Sequence, residues 1–174
     1  MTNAANSTIE AWLIGRIPSD WAAAAPPSIV IDREEITITI AVDAPSLAAD
    51  ASDVDRAEAV AGRITGYRED TRGQRMGIAR DAEHRFERKV AWAVTVGDRT
   101  ELFTHVAAPV MTRLRQPERL VLDTLVAANV ARSRADALAW CVRLVGENTD
   151  TWLAELRDAM TAVDDVRAKG PTSA

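Results

Sequence analysis

A histidine and two carboxylates at helical spacing are the residues best suited to metal chemistry in this sequence. Asp81, His84 and Glu87 are each three residues apart, so one helix could present oxygen and nitrogen ligands on one side. A metal site in a helical bundle ordinarily needs further carboxylates or a second such motif on another helix, and the sequence holds no second copy. We therefore interpret these residues as a charged, solvated helix face.

Signals for other catalytic chemistry are weak. The sequence has no glycine-rich loop with a lysine, no dinucleotide-binding fingerprint and no serine flanked by elbow glycines. His105 lies where we expect an edge or interface side chain rather than a base. The lone Cys141 excludes an internal disulfide and sits among apolar helix positions, which is typical of a core residue. The sequence thus predicts a protein that is not an enzyme and binds neither cofactor nor metal.

Residues 110–115 predict a short strand, because their side chains alternate between two faces. Val110, Thr112 and Leu114 would share the inner face. The outer face would carry Met111, Arg113 and Arg115. Pro109 removes a ladder donor at the start of this strand.

Two helices with a tight turn between them are predicted next. Pro117 is tolerated in a first helical turn, and Asn129 suits a left-handed stop. Ser133 can cap the second helix, with Asp136 three residues later as in a capping box. The apolar stripes would be Leu122, Leu125 and Val126 on the first helix, and Leu138, Cys141, Val142 and Val145 on the second.

Residues 109–146 resemble the ribbon-helix-helix family of DNA-binding proteins, which includes the Arc, methionine-repressor and CopG types. In that family a strand ending in Leu, a Leu-rich first helix and an Arg-Ser-Arg-x-Asp/Glu-Ala-Leu start of the second helix recur at these spacings. The matching residues are Leu114, Leu122, Leu125 and residues 132–138. The resemblance implies a homodimer whose paired strands form an antiparallel ribbon in the major groove of DNA.

The resemblance also implies roles for individual residues. With Leu114 facing the core, the outer residues of the strand would read bases: Met111, Arg113 and Arg115. Arginine forks suit guanine edges. Phosphate would be bound at the amino end of the second helix by Arg132, Ser133 and Arg134, through backbone N–H groups and positive charge. The alternative is that these arginines solvate an ordinary helical domain.

The charge of the chain is unevenly distributed. The 174 residues carry a net charge of −5, which argues against a protein that coats nucleic acid by bulk attraction. Residues 56–143 hold 16 basic and 11 acidic side chains, whereas both flanking segments are net acidic. Basicity therefore concentrates around the ribbon-helix-helix match. No signal peptide or membrane-spanning segment is evident, so we expect a cytoplasmic protein.

The first hundred residues predict two hairpins around a long helix. Residues 29–31 and 36–42 form one alternating pair, and residues 90–96 and 102–106 form the other. Ser52 and Asp55 predict a capping box at the start of the helix, which would span about residues 53–89 and bend near Gly73. Its sheet-facing stripes would be Val60, Ile64 and Tyr67, then Met76, Ala79, Ala82 and Phe86. We expect the apolar first 25 residues to pack against the sheet.

These patterns predict an α+β fold. An antiparallel ββαββ layer with a long helix occupies residues 1–108 and serves dimerisation, sensing or partner contact. A ribbon-helix-helix unit follows at residues 109–147. A final helix at residues 148–169 would be capped by Asp150, with Trp152, Leu156, Met160 and Val163 on one face, before a disordered tail at residues 170–174.

Two functions fit this organisation. One is a homodimeric, sequence-specific transcriptional regulator that binds double-stranded DNA and not a membrane. The alternative is a protein interaction module, or an antitoxin-like protein, that uses the strand-helix-helix unit for dimerisation or docking. Since ribbon-helix-helix antitoxins bind both DNA and a toxin, the acidic final helix would then contact a protein partner.

Overall fold

The structure, a computed structural model, describes residues 3–22 and 24–169. The chain divides into two compact units, Met1–Pro109 and Val110–Ala174. The tail predicted to be disordered at residues 170–174 lies outside the described residues. None of the described helices is both long and apolar enough to cross a membrane.

The first unit contains a four-stranded sheet in the order β1-β2-β3-β4. The strands are β1 (Ser28–Ile31), β2 (Glu35–Val42), β3 (Lys89–Val96) and β4 (Arg99–Leu102). The hairpins β1–β2 and β3–β4 are antiparallel, as predicted, although β4 ends at Leu102 and does not occupy the predicted residues 102–106. The central strands β2 and β3 are parallel. The predicted all-antiparallel layer is therefore wrong. The helices between β2 and β3 return the chain to the end of the sheet where β2 began, which makes this pair parallel.

Helices cover the sheet of the first unit. They are α1 (Asn3–Arg16), α2 (Asp53–Asp70) and α3 (Arg72–Phe86), with a short 3-10 helix at Ser19–Ala22. The predicted capping box of Ser52 and Asp55 is confirmed at the start of α2. The predicted single long helix is broken at Thr71, whose backbone angles are φ −93° and ψ −2°, two residues before the expected bend.

The core of the first unit lies between the helices and one sheet face. Ile36, Ile38 and Ile40 of β2 are fully buried, because alternate residues of a strand share a face. Leu13, Ile17 and Trp21 join this core, so the described part of the amino-terminal segment packs against the sheet as predicted.

One predicted helix stripe is corrected by the structure. Met76 is 60% exposed, whereas Ile78 is 4% exposed. The other predicted members are confirmed, since Ala82 is buried and Ala79 and Phe86 are partly buried against the core. Arg75 and Ile78 are the buried residues of α3 that the predicted stripe did not include.

The second unit consists of α4 (Gln116–Ala127), α5 (Arg134–Asn148) and α6 (Asp150–Lys169). Its small core contains the buried residues Leu122, Ala131 and Ala137. Five partly buried side chains pack against them: Leu114, Leu125, Val126, Leu138 and Cys141. Helix α6 has no buried residue. The unit is thus a helical pair with a thin core, followed by a helix that contributes little to it.

Candidate nucleic-acid interface

Residues 110–115 form neither helix nor strand in this single chain. A β-ladder needs a second strand, and the resemblance places that strand on another copy. Of the three residues predicted for the inner face, only Leu114 is half-buried against the α4–α5 core. Val110 is 86% exposed and Thr112 is exposed as well, so the predicted inner face is not formed in the single chain. Met111 is 96% exposed, and Arg113 and Arg115 are also exposed. The three residues predicted to read bases therefore all face solvent on a segment free of regular structure.

The junction between this segment and α4 is held by arginine. Arg115 has extended backbone angles, φ −79° and ψ 173°, and Pro117 lies in the first turn of α4 as predicted. The Arg119 guanidinium donates to the Leu114 carbonyl oxygen at 2.7 Å. This bond ties the end of the segment to the first turns of α4.

The turn between α4 and α5 follows the sequence prediction. Asn129 has φ 58°, in the left-handed region, which asparagine adopts at lower cost than most residues. The Asn129 and Val130 N–H groups donate to the carbonyl oxygens of Val126 and Leu125 at 3.1 and 3.0 Å. These bonds satisfy carbonyl groups that the end of a helix leaves open.

The start of α5 is capped by side chains. The Ser133 hydroxyl accepts from the Asp136 N–H at 3.2 Å, and the Asp136 carboxylate accepts from the Arg132 N–H at 3.0 Å. The latter bond is the main cause that lowers the pKa of Asp136. Among the described residues, the Arg134 and Ala135 N–H groups have no acceptor. Such a helix start can accept an oxyanion.

The structure separates the two arginines predicted to bind phosphate. Arg134 donates to both oxygens of Asp123 in α4, at 2.6 and 2.7 Å. This bidentate bond lowers the pKa of Asp123. The Arg132 side chain is 95% exposed and lies 3.6 Å from Asp136. Arg132 thus forms a long ion pair with Asp136 and stays almost fully exposed, whereas Arg134 forms a close bidentate pair with Asp123.

Sequence reasoning missed Asp123. It lies eleven residues before Arg134, on the other helix of the pair, so no spacing rule within one helix connects the two. One signal in the sequence could have indicated this ion pair: Asp123 and Arg134 carry opposite charges and lie on two helices that were expected to pack against each other.

Apolar side chains remain exposed on this unit. Val142 and Val145, predicted to be buried, are 64% and 54% exposed. The exposed stripe of α6 contains Trp152, Leu156, Met160 and Val163. Within one chain the α5 side chains in the core are Ala137, Leu138 and Cys141, because α4 alone covers one side of that helix.

The sequence candidate for metal ligands is not assembled into a site. The Asp81 carboxylate pairs with Arg16 of α1, and Glu87 is the left-handed C-cap of α3 with φ 55°. In residues 3–22 and 24–169, no group of three or more histidine, cysteine or acidic side chains is placed to hold a metal ion.

Comparisons with known proteins divide the chain in the same way. Residues 7–102 match the family model described as Rv1265-like protein, N-terminal domain, and residues 115–167 match the Mb1296 C-terminal domain. The chain belongs to the Rv1265-like family. Between the two matches lie residues 103–114, which include the end of the first unit and most of the segment with the predicted base-reading residues.

The relatives are mycobacterial. Mb1296 of Mycobacterium bovis and Rv1265 of Mycobacterium tuberculosis are each 54% identical to this chain over 160 residues. The match covers 92% of this chain and 69% of each relative. Both are named as uncharacterized proteins, so their names state no activity. No solved structure matches the chain significantly.

Proposed function

We propose that this protein is a homodimeric, sequence-specific DNA-binding regulator that acts in the cytoplasm. Residues 110–115 of two copies would pair as an antiparallel ribbon and enter the major groove. One observation carries the proposal: Arg113 and Arg115 are exposed on an unpaired segment whose Leu114 is held against a capped two-helix unit. Arginines presented in this way can reach the O6 and N7 acceptors of guanine.

Exposed apolar residues support the homodimer. Val142 and Val145 lie on α5 beyond the part that α4 covers. A second copy would bury them and supply the missing strand for residues 110–115. Burial of each valine would contribute on the order of 1.5–3 kcal/mol at most. The ribbon and the extended core would then form together.

Charge supports contact with phosphate. Residues 110–149 carry six arginines and four carboxylates. Arg132 stands beside the amino end of α5, where N–H groups are unpaired among the described residues. The combination of helix start and exposed guanidinium suits a backbone phosphate, which would fix the register of the ribbon on the duplex.

The proposal is tested by fluorescence anisotropy with the DNA upstream of the protein's own coding sequence and with a scrambled duplex. Arg113→Gln/Arg115→Gln should lose the preference for the upstream DNA, since a bidentate arginine–guanine contact contributes about 1–3 kcal/mol of discrimination. The matched control is Arg157→Gln/Arg167→Gln, which removes two positive charges from α6. Equal preference in the ribbon variant and the control would contradict base reading by residues 110–115.

A second candidate function is a protein interaction module, including an antitoxin-like protein. The exposed stripe of Trp152, Leu156 and Met160 on α6 favours it, because a 20-residue amphipathic helix without a buried face is typical of helix recognition. A folded dimer that binds neither duplex at low salt would favour this function. Leu156→Asp/Met160→Asp should then abolish association with the protein partner without unfolding α4 and α5.

A further inference from the structure

A cleft in the first unit is lined by three arginines, two of which lie over one aromatic ring. It lies where α2 meets α3 and has a volume of about 540 Å³. Its walls include Arg68, Arg72, Arg75 and Phe103, and we call it the arginine cleft. Phe103 directly follows β4, so the cleft is bordered by both the helix break and the sheet edge.

Arg75 is fixed in position at the helix break. Arg75 is only 6% exposed to solvent. Its Nε donates to the Thr71 hydroxyl at 2.9 Å and its Nη2 to the Arg68 carbonyl oxygen at 2.7 Å. Its guanidinium carbon lies 4.7 Å from the centre of the Phe103 ring. These contacts orient the guanidinium but leave Nη1 without an acceptor among the described residues.

The positive charge of the arginine cleft is not balanced by ion pairs. Within the part of the chain that the structure describes, Arg68, Arg72 and Arg75 form no ion pair with a carboxylate. Two carboxylates, Glu69 and Glu101, also border the cleft. Glu101 pairs with Arg99 at 3.2 Å, and the three arginines still outnumber the two carboxylates. Burial lowers the pKa of Arg75; the nearby Tyr67 partly opposes this, and the charges of Arg68 and Arg72 lower the pKa further. A buried cation that lacks a counter-charge is costly to the fold.

We propose that the arginine cleft binds the phosphate group of a small anionic ligand. Guanidinium forks bind phosphate oxygens in bidentate geometry, and the exposed Arg68 and Arg72 can add to the charge of the fixed Arg75. The volume falls within the range of small-molecule sites, about 300–1,000 Å³. The cleft therefore has room for an organic group beside the phosphate.

The proposal is tested by isothermal titration calorimetry of the full chain with inorganic phosphate and pyrophosphate at constant ionic strength. We expect saturable binding, tighter for pyrophosphate, and no comparable binding of acetate. Arg72→Gln and Arg68→Gln should each weaken pyrophosphate binding about tenfold, as expected for the loss of one charge-assisted contact. The matched control, Arg63→Gln, removes an exposed arginine of α2 that does not border the cleft and should bind as the wild type does.

Three results would overturn the proposal. The first is that neither inorganic phosphate nor pyrophosphate shows saturable binding. The second is that acetate binds as tightly as pyrophosphate. The third is that Arg63→Gln loses as much pyrophosphate affinity as Arg68→Gln and Arg72→Gln do. Titration of the same variants with duplex DNA separates a small ligand from a nucleic-acid backbone. If Arg68→Gln and Arg72→Gln bind DNA as tightly as the wild type does, the cleft serves a small ligand. If these variants lose DNA affinity and the wild type does not bind pyrophosphate, the proposal is contradicted. The site lies in the first unit, so its failure would leave the proposed ribbon untouched.

Discussion

The ion pair between Asp123 and Arg134 limits the positive charge that α5 can offer to DNA. Replacing Asp123 by Asn removes the carboxylate that holds both sides of the Arg134 fork. The side chains keep nearly the same shape, so the packing of α4 against α5 should persist. We therefore predict that Asp123→Asn strengthens DNA binding at low salt, although it removes an ion pair from the fold.

The size of this effect follows from counterion release. In a homodimer the substitution frees two Arg134 side chains. If each then neutralises one phosphate, the slope of log affinity against log salt should steepen by about 1.8. Between about 50 mM and about 200 mM salt, the variant would lose about twelvefold more affinity than the wild type.

Anisotropy titrations over this salt range measure the slope directly. Asp158→Asn is the matched control, since it removes a carboxylate from α6 without releasing an arginine from a described ion pair. Thermal unfolding must show that both variants remain folded. If Asp123→Asn and Asp158→Asn give the same slope, Arg134 does not become a phosphate contact and the reasoning is refuted.

Two further predictions concern stability. Ile38→Ala should lower the free energy of unfolding by about 2–5 kcal/mol in urea, because Ile38 is fully buried in the sheet; a cost no greater than that of Ile14→Ala, at an exposed position of α1, would contradict this account of the core. The hydrogen bond from Arg134 lowers the pKa of Asp123, so the pair's contribution is complete above the ordinary aspartate pKa of about 3.9 and is lost as pH falls through the lower folded-state value. Urea unfolding at several pH values should show a larger loss of stability below about pH 4 in the wild type than in Asp123→Asn, and identical pH dependence in the two proteins would rule this out.

Local signals in the sequence predicted local structure well. The alternation around residues 32–35 indicated the β1–β2 hairpin, and Ser52, Asn129 and Ser133 marked helix boundaries that the structure contains. Each of these features depends on side chains within a few residues of one another. Their geometry is set by capping and turn chemistry that a short segment carries by itself.

Features that depend on distant contacts were predicted less well. The parallel pairing of β2 with β3 follows from the path of α2 and α3 over the sheet, which strand alternation does not encode. The break at Thr71 is stabilised by the Arg75 side chain rather than by a glycine. The sequence prediction relied on the glycine and placed the bend at Gly73, two residues after the observed break.

The candidate site was located from sequence only in part. The roles of Arg113, Arg115, Arg132 and Arg134 were inferred from the resemblance to ribbon-helix-helix proteins, and all four residues are exposed. The pairing of Arg134 with Asp123 required the packed geometry of α4 and α5. The strand state of residues 110–115 requires a second chain and stays a prediction.

The parallel pairing of β2 and β3 also bears on how this protein must be made. Ile36 pairs with Val90, 54 positions later in the chain, and closing such a long connection slows folding. Until Lys89–Val96 has been synthesised, β1 and β2 can form only a two-stranded hairpin, which is marginally stable in water. During that interval Ile36, Ile38 and Ile40 lack the strand that borders them, and an unpaired apolar edge favours aggregation. Shortened versions of the first unit should therefore retain β3 through its last residue if they are to stay in solution.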